Sequence, residues 1–161
     1  IVQTGASFIA LGAGAKEYED FLQQWHDRYP REVAIYKGYA SEALAHQIEA
    51  GADIFLMPSL YEPCGLNQMY SMRYGTVPLV RATGGLDDTV EQFNPSTGAG
   101  TGFKFGPYEA GALLEKIREA LYFYGRPDDW QKIQRNGMLV DNSWEAAAKK
   151  YAALYQEVAQ L

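Results

Sequence analysis

The chain has 161 residues, of which 47% are hydrophobic and 14% aromatic, so it can bury one core and we expect a single domain, residues 1–161. Its formal net charge of −6, without a clustered Lys/Arg run, argues against nucleic acid or an anionic membrane as a partner. No apolar run reaches the ~20 residues of a membrane span, and no secretory signal opens the chain. The one cysteine forms no internal disulfide, which suits a reducing compartment, so we expect a cytoplasmic location.

Strands and helices alternate along the first two thirds of the chain. The apolar runs are short and nearly continuous, which is typical of parallel strands covered on both faces. They are SFIALG (7–12), VAIYKG (33–38), DIFLMPS (53–59), VPLVRA (77–82) and the shorter GFKFG (102–106). Helical spacing of apolar residues lies between them, for example in KEYEDFLQQWHDRY (16–29) and after Ser41. The sequence therefore predicts an α/β fold with a Rossmann-like, doubly wound parallel sheet.

The last third predicts consecutive helices. They are YEAGALLEKIREALYFYG (108–125), PDDWQKIQRNGM (127–138) and NSWEAAAKKYAALYQEVAQL (142–161). Asn142, three residues before Glu145, predicts a capping box at the start of the third helix. An apolar stripe on that helix needs a surface to cover it; the stripe comprises Trp144, Ala148, Tyr151, Tyr155 and Val158. FNPSTGAGTG (93–102) is predicted as a loose linker.

The amino-terminal stretch IVQTGASFIALG has no initiator Met and enters a strand within a few residues, so we expect a piece excised from a larger protein. Gly12 and Gly14 follow that strand. Because the third glycine and the acidic residue of a dinucleotide fingerprint are missing at the expected spacing, we interpret these glycines as an ordinary tight turn.

The stretch SLYEPCGLNQMYSMRYG (59–75) predicts a ligand site at a strand-to-helix turn. Pro63 disfavours helical backbone at Glu62 and so holds that carboxylate at the end of the strand. Gly65 allows a ligand to approach the backbone, and the N–H groups that begin the helix favour a phosphate. These groups belong to Gly65, Leu66 and Asn67. A carboxylate beside a phosphate site suits a ligand that carries both phosphate and neutral hydroxyls, as a nucleotide sugar does.

A second turn of the same kind follows the next strand, in VPLVRATGGLDDTVE (77–91). Its paired glycines expose backbone N–H groups without steric conflict, and two such turns after successive strands indicate a shared crevice. The structural alternatives are that Glu62 caps the helix, that Cys64 is a small buried hydrophobic residue, and that the glycines only form turns.

EPCGLNQMYSMRYGTVPLVRATGGLDDTV (62–90) resembles the signature region of bacterial glycogen synthases and the related starch synthases. The resemblance extends from LGAG through GYASEALAHQIEAGADIFLMPS to SWEAAAKKYAALY, which is nearly the whole chain. It implies the second of two Rossmann-like domains of a GT-B glycosyltransferase. It also implies transfer of glucose from ADP-glucose to the non-reducing end of an α-1,4-glucan with retention at the anomeric carbon, with no metal or other cofactor.

The resemblance also implies roles for individual residues. Glu62 matches the acidic residue beside the donor glucose, and we expect it to be catalytic without assigning it as a covalent nucleophile. Tyr39, which follows Gly38 in KGYASE, matches an aromatic residue that stacks on adenine; a core tyrosine is the alternative. The residues matched to glucose and phosphate contacts are Cys64, Gly65, Leu66 and Asn67, and those of the second glycine motif are Thr83, Gly84 and Gly85.

Two positions depart from the pattern. Tyr70 stands where many relatives in the wider retaining superfamily have a second glutamate, which glycogen synthases commonly lack. Asn67 stands where some members have threonine, so its backbone N–H remains available for the ligand while a hydroxyl contact is lost.

The chain also lacks segments that the family uses. Arg and Lys residues that neutralise the departing diphosphate lie on the first strand-to-helix segment of this domain, and acceptor groups lie on the other domain. We therefore expect the isolated chain to be inactive and its terminal helix, residues 143–161, to pack toward a missing N-terminal domain.

Charge stabilisation should dominate the transfer, because positive charge grows on the sugar while negative charge grows on the leaving group. Front-face reaction and double displacement remain alternatives. Two other functions also remain open: a regulatory module that binds a nucleotide without catalysis, and a scaffold whose glycine turns are only structural.

Overall fold

The computed structural model describes residues 1–39 and 41–159. Its strands are β1 (Phe8–Gly12), β2 (Val33–Lys37), β3 (Ile54–Met57), β4 (Val77–Arg81) and β5 (Phe103–Phe105). Its α-helices are α1 (Lys16–Arg28), α2 (Glu42–Gly51), α3 (Asn67–Tyr74), α4 (Gly84–Thr89), α5 (Ala110–Tyr124), α6 (Pro127–Leu139) and α7 (Trp144–Val158). All five predicted strands and the predicted order of helices are confirmed.

The strands form two parallel sheets. In the first, β1 pairs with β2, with Phe8 opposite Val33. In the second, β4 pairs with β3 on one side and with β5 on the other. The predicted parallel α/β fold is confirmed; within the described ranges β1, β2, β3 and β5 are each paired along one edge only. The other edge of each strand has no partner strand in this part of the chain.

The core lies around β4 and β5, where helices cover the sheet. Four of the five residues of β4 are buried, as the continuous apolar run predicts. Phe103 of β5 stacks between Phe123 of α5 and Trp130 of α6, with ring centroids 6.0 and 6.4 Å away. The first sheet is less covered, because Ile9 of β1 and Tyr36 of β2 remain exposed. The prediction that both faces are covered therefore holds for β4 and is wrong for β1 and β2.

Local signals fix the ends of several helices. The Ser41 side chain accepts a hydrogen bond from the Leu44 N–H and caps α2. Gly75 ends α3 in the left-handed conformation, at φ 84°. At α7 the predicted capping residue is wrong by one position: the cap is Ser143, whose hydroxyl accepts from the Ala146 N–H, and not Asn142.

The stretch 93–102 is not the loose linker that its composition predicts. Asn94 and Ala99 form an antiparallel bridge across it. From α6, the Asn136 carboxamide donates to the carbonyl oxygens of Gly98 and Gly100, at 2.8 and 2.9 Å. Tertiary hydrogen bonds thus hold a segment that is rich in turn-forming residues.

None of the residues of the terminal helix α7 is buried, so its predicted apolar stripe is not covered within the described chain. Its exposed apolar side chains include Trp144, Tyr151, Tyr155 and Val158. Over residues 1–39 and 41–159, no helix is both long enough and apolar enough to cross a lipid bilayer.

Candidate functional site

The loops that follow β3 and β4 are in direct contact. The Gly85 N–H donates to the Glu62 carbonyl oxygen at 3.0 Å. A Cβ at Gly84 would collide with the Glu62 backbone, and one at Gly85 would collide with the Cys64 backbone. Close packing of the two loops therefore requires glycine at both positions. The two turns thus meet at the ends of successive strands, but the Gly85 N–H, which was predicted to be exposed to a ligand, is used within the protein.

The amino end of α3 has free hydrogen-bond donors. Its N-cap residue, Leu66, makes no side-chain capping bond. Among the described residues, none accepts a hydrogen bond from the backbone N–H of Gly65, Leu66 or Asn67. Gly65 has a φ of 71°, which disfavours any other residue there. The turn thus presents several N–H groups together with the positive end of the helix dipole, and this arrangement favours an anion.

Glu62 and Cys64 lie at the rim of this turn. The Glu62 side chain is half-buried and makes no hydrogen bond to any described residue. It does not cap α3, so that alternative is wrong. Cys64 is exposed, and its thiol donates weakly to the Gly65 carbonyl oxygen at 3.5 Å, so the buried alternative is wrong as well.

Thr83 occupies the N-cap position of α4. Its carbonyl oxygen accepts from the Leu86 N–H at 3.1 Å, while its hydroxyl makes no capping bond. The half-buried Thr83 side chain lies next to the glycines that pack on the Glu62 loop.

Tyr39 lies at the carboxyl end of the other sheet. It follows Gly38, which has a φ of 101° and donates its N–H to the Gly12 carbonyl oxygen at 2.9 Å. The Tyr39 side chain is 96% exposed, so the alternative of a core tyrosine is wrong. Within the described chain, no hydrogen bond or aromatic contact connects Tyr39 with the Glu62 loop.

Gln68 is a site residue that sequence reasoning missed. It is fully buried in the first turn of α3, and its carboxamide nitrogen lies 3.1 Å from the Cys64 carbonyl oxygen and 2.9 Å from that of Gly65. The same nitrogen lies 3.0 Å from the Thr89 hydroxyl of α4. Gln68 therefore joins the turn before α3 to the helix that follows the second glycine motif. A glutamine in the first turn after a glycine was the only sequence signal of this role.

Arg81 is a second missed residue, at the carboxyl end of β4. Its guanidinium donates to the Leu60 carbonyl oxygen at 2.7 Å and to the Gly106 carbonyl oxygen at 3.1 Å. It also lies 5.6 Å from the centroid of the Tyr108 ring. Arg81 thus holds the loop after β3 and the loop after β5 together at one edge of the sheet.

Asn67 donates its side-chain N–H to a buried carboxylate. Its Nδ2 lies 2.6 Å from Oε1 of Glu49 on α2. Glu49 is 3% exposed, and its other oxygen, Oε2, has no hydrogen-bond partner in the described ranges. Burial raises the pKa of the Glu49 carboxyl, while the Asn67 hydrogen bond and nearby His46 oppose that shift. The side chain of Asn67 is therefore hydrogen-bonded to α2, and its backbone N–H has no partner among the described residues.

Known proteins that are similar to this chain are glycosyltransferases. A family model described as "Glycosyl transferases group 1" matches residues 4–137. The chain is 53% identical over 156 residues to a glycogen synthase of Koribacter versatilis, covering 97% of this chain and 32% of that protein. It is 47% identical over 149 residues to a glycogen synthase of Fervidobacterium nodosum, covering 92% and 30%.

One solved structure is similar over almost the whole chain. It is the catalytic domain of starch synthase IV from Arabidopsis thaliana, bound to ADP and acarbose. The TM-score is 0.86 and the identity 32%, with coverage of 99% of this chain and 34% of that one. The resemblance to glycogen and starch synthases is confirmed. The chain spans about a third of the length of the relatives that it matches.

Proposed function

Because the chain belongs to the glycosyl transferases group 1 family, we propose that it is the nucleotide-sugar-binding part of a retaining glucosyltransferase. The longer protein transfers glucose from ADP-glucose to the non-reducing end of an α-1,4-glucan. The names of the similar proteins support this proposal, since they are glycogen synthases and a starch synthase bound to ADP and acarbose. The proposal includes no metal and no organic cofactor.

The free N–H groups at the amino end of α3 are the observation that carries this proposal. A diphosphate at Gly65, Leu66 and Asn67 accepts hydrogen bonds from donors that have no partner among the described residues. The half-buried carboxylate of Glu62 lies three residues before Gly65 and has no internal hydrogen bond, so it is available for the hydroxyls of a sugar attached to that diphosphate. Both groups of a nucleotide sugar are thus matched within one turn.

Electrostatics assigns a distinct task to each end of the turn. When the bond between the sugar and the diphosphate breaks, negative charge grows on the leaving group, where the α3 dipole and the N–H groups stabilise it. Positive charge grows on the sugar ring, and the Glu62 carboxylate stabilises it while hydrogen-bonding the sugar hydroxyls. Gln68 and Arg81 hold the loops that carry these groups and need no contact with the ligand.

The remainder of the active site belongs to a longer protein. The unpaired edges of β1 and β3 suit the strand of a further strand-to-helix segment inserted between the two sheets. The exposed apolar face of α7 suits a second domain. The isolated chain should therefore bind ADP and transfer no glucose to glycogen, and transfer by rigorously purified chain would contradict this division of tasks.

The orientation of the ligand is tested by comparing Tyr39→Ala with Glu62→Ala. We propose that Tyr39 stacks on adenine, an interaction worth about 1–3 kcal/mol for bases on aromatic rings, so Tyr39→Ala should weaken ADP binding roughly tenfold or more. Glu62→Ala should leave ADP affinity unchanged or slightly improved, because ADP has no glucose and the carboxylate repels the diphosphate. Calorimetry on the chain measures both affinities.

A matched control is Tyr18→Ala, since Tyr18 is an exposed tyrosine on α1 with no proposed role. It should bind ADP like the wild type. In the longer protein Glu62→Ala should abolish transfer; a nucleotide-binding regulatory module would show no transfer to abolish. If Glu62→Ala loses ADP binding and Tyr39→Ala keeps it, the proposed ligand orientation is wrong.

A further inference from the structure

We propose that Glu49 is a positioning residue: through Asn67 it fixes the amino end of α3 and thereby sets the affinity of that end for a diphosphate. Glu49 lies on α2 and has no direct contact with the proposed ligand position. The effect on affinity rests on the proposed function, while the effect on the order of α3 can be measured without any ligand.

Glu49 accepts hydrogen bonds from residues at both ends of α3. Its Oε1 accepts from Asn67 Nδ2, at 2.6 Å, on the first residue of the helix. Its backbone carbonyl oxygen accepts from the Thr76 hydroxyl, also at 2.6 Å, just after the helix ends. One buried residue of α2 thus contacts the chain on either side of the eight-residue helix.

The bond to Asn67 matters because α3 has no side-chain cap at that end. Leu66 provides no side-chain cap, and the first backbone hydrogen bonds of the helix run from the Met69 and Tyr70 N–H groups to the Leu66 carbonyl oxygen. Short helices fray at uncapped ends. Without the Glu49 contact, the side-chain hydrogen bonds to this turn among the described residues would be those of Gln68 and the weak one of the Cys64 thiol.

The surroundings of Glu49 keep its carboxylate directed at Asn67. Oε2 is buried and has no hydrogen-bond partner in the described ranges; His46 Nδ1 lies 3.7 Å from it, beyond hydrogen-bond distance. His46 in turn contacts the Tyr74 hydroxyl at 3.2 Å and packs against the Tyr70 ring. The Asn67 carboxamide is therefore the direct hydrogen-bond partner of this carboxylate.

The test uses three variants of the chain. Glu49→Met removes the acceptor at similar volume, and Glu49→Gln keeps an acceptor oxygen for Asn67. Thr76→Val is the matched control, because it removes the hydroxyl that contacts the carbonyl oxygens of Glu49 and Ala52 and lowers stability without altering the start of α3. Backbone amide exchange is measured at Met69 and Tyr70, and ADP affinity is measured by calorimetry.

Glu49→Met should speed exchange at Met69 and Tyr70 relative to Gly75 and Thr76 at the far end of the helix. It should also weaken ADP binding roughly three- to tenfold, the equivalent of one lost hydrogen bond. Glu49→Gln should restore both properties to within about twofold of the wild type. Thr76→Val should lower the melting temperature without changing ADP affinity.

Unchanged exchange at Met69 and Tyr70 in Glu49→Met overturns the inference. Faster exchange with wild-type ADP affinity also overturns it, because the order of the turn then has no effect on the ligand. An equal loss of affinity in Thr76→Val shows general destabilisation and overturns it too. If the wild-type chain binds no ADP, the proposed function fails, while the exchange data still decide whether Glu49 orders α3.

Discussion

Gly85→Ala tests why position 85 requires glycine: close packing of the two loops, or the general flexibility of a glycine backbone. A Cβ on Gly85 would lie 2.5 Å from the Cys64 Cα and 2.6 Å from the Cys64 carbonyl carbon. These distances are about 0.9 and 0.8 Å short of the 3.4 Å at which ordinary contact begins. Because the obstacles are backbone atoms, no side chain can rotate away, and the two loops must separate.

The expected loss of stability follows from two terms. Overpacking of this kind destabilises by about 1–3 kcal/mol. Separation of the loops also breaks the hydrogen bond from the Gly85 N–H to the Glu62 carbonyl oxygen, worth about 1 kcal/mol. The free energy of unfolding should therefore fall by roughly 2–4 kcal/mol, which for a chain of this length lowers the melting temperature by roughly 5–15 °C.

Thermal unfolding followed by circular dichroism measures this change, with Gly111→Ala as the control. Gly111 lies in α5, and a Cβ there would meet no atom within 4 Å. Alanine at that position should stabilise the helix by roughly 0.5–1 kcal/mol. ADP affinity should fall in Gly85→Ala and stay unchanged in Gly111→Ala. A melting temperature of Gly85→Ala within a degree of the wild type would refute the packing explanation.

Three further predictions concern the thiol, the buried carboxylate and the terminal helix. The exposed Cys64 thiol lies at the proposed diphosphate position, so saturating ADP should slow its alkylation by iodoacetamide; an unchanged rate would place Cys64 away from the nucleotide. Burial raises the pKa of Glu49, so the stability that its protonated form provides is present below its ordinary pKa of 4.5 and is lost as pH rises through the raised value. The melting temperature of Glu49→Gln minus that of the wild type should therefore increase between about pH 4.5 and pH 7. The same increase should appear when His46, which lies 3.7 Å from Glu49, is replaced by glutamine in both proteins. A difference that stays constant over this range would contradict this. Amide exchange should be faster in α7 than in β3, because α7 is almost entirely exposed whereas β3 is half-buried and hydrogen-bonded to β4; equal protection would indicate that α7 is covered.

Local patterns in the sequence were sufficient for most of the fold. Continuous apolar runs located all five strands, including β1 and β2, which keep exposed residues in this structure. Short-range chemistry located several helix ends, as at Ser41 and Gly75. It missed the cap of α7 by one residue, because Asn142 and Ser143 are both suitable capping residues and backbone geometry selects between them.

The candidate site was partly accessible from sequence for the same reason. Glu62, Gly65 and the glycine pair stand in a strand-turn-helix order that indicates ligand binding without knowledge of distant contacts. Sequence reasoning explained the glycines by access of a ligand, however, whereas Gly84 and Gly85 are required by the backbone of the neighbouring loop. A contact between residues some twenty positions apart leaves no local pattern.

The sequence alone determined which elements form and in what order, because periodicity and capping act over a few residues. Only the tertiary structure decided how the turns are supported. Gln68, Arg81 and Glu49 are polar residues whose roles depend on partners on other elements: Thr89, the loops after β3 and β5, and Asn67. It also decided that residues 93–102 are held in place and that β1 and β3 each keep an unpaired edge in the described chain. Such features follow from the meeting of distant segments, which composition and local spacing do not encode.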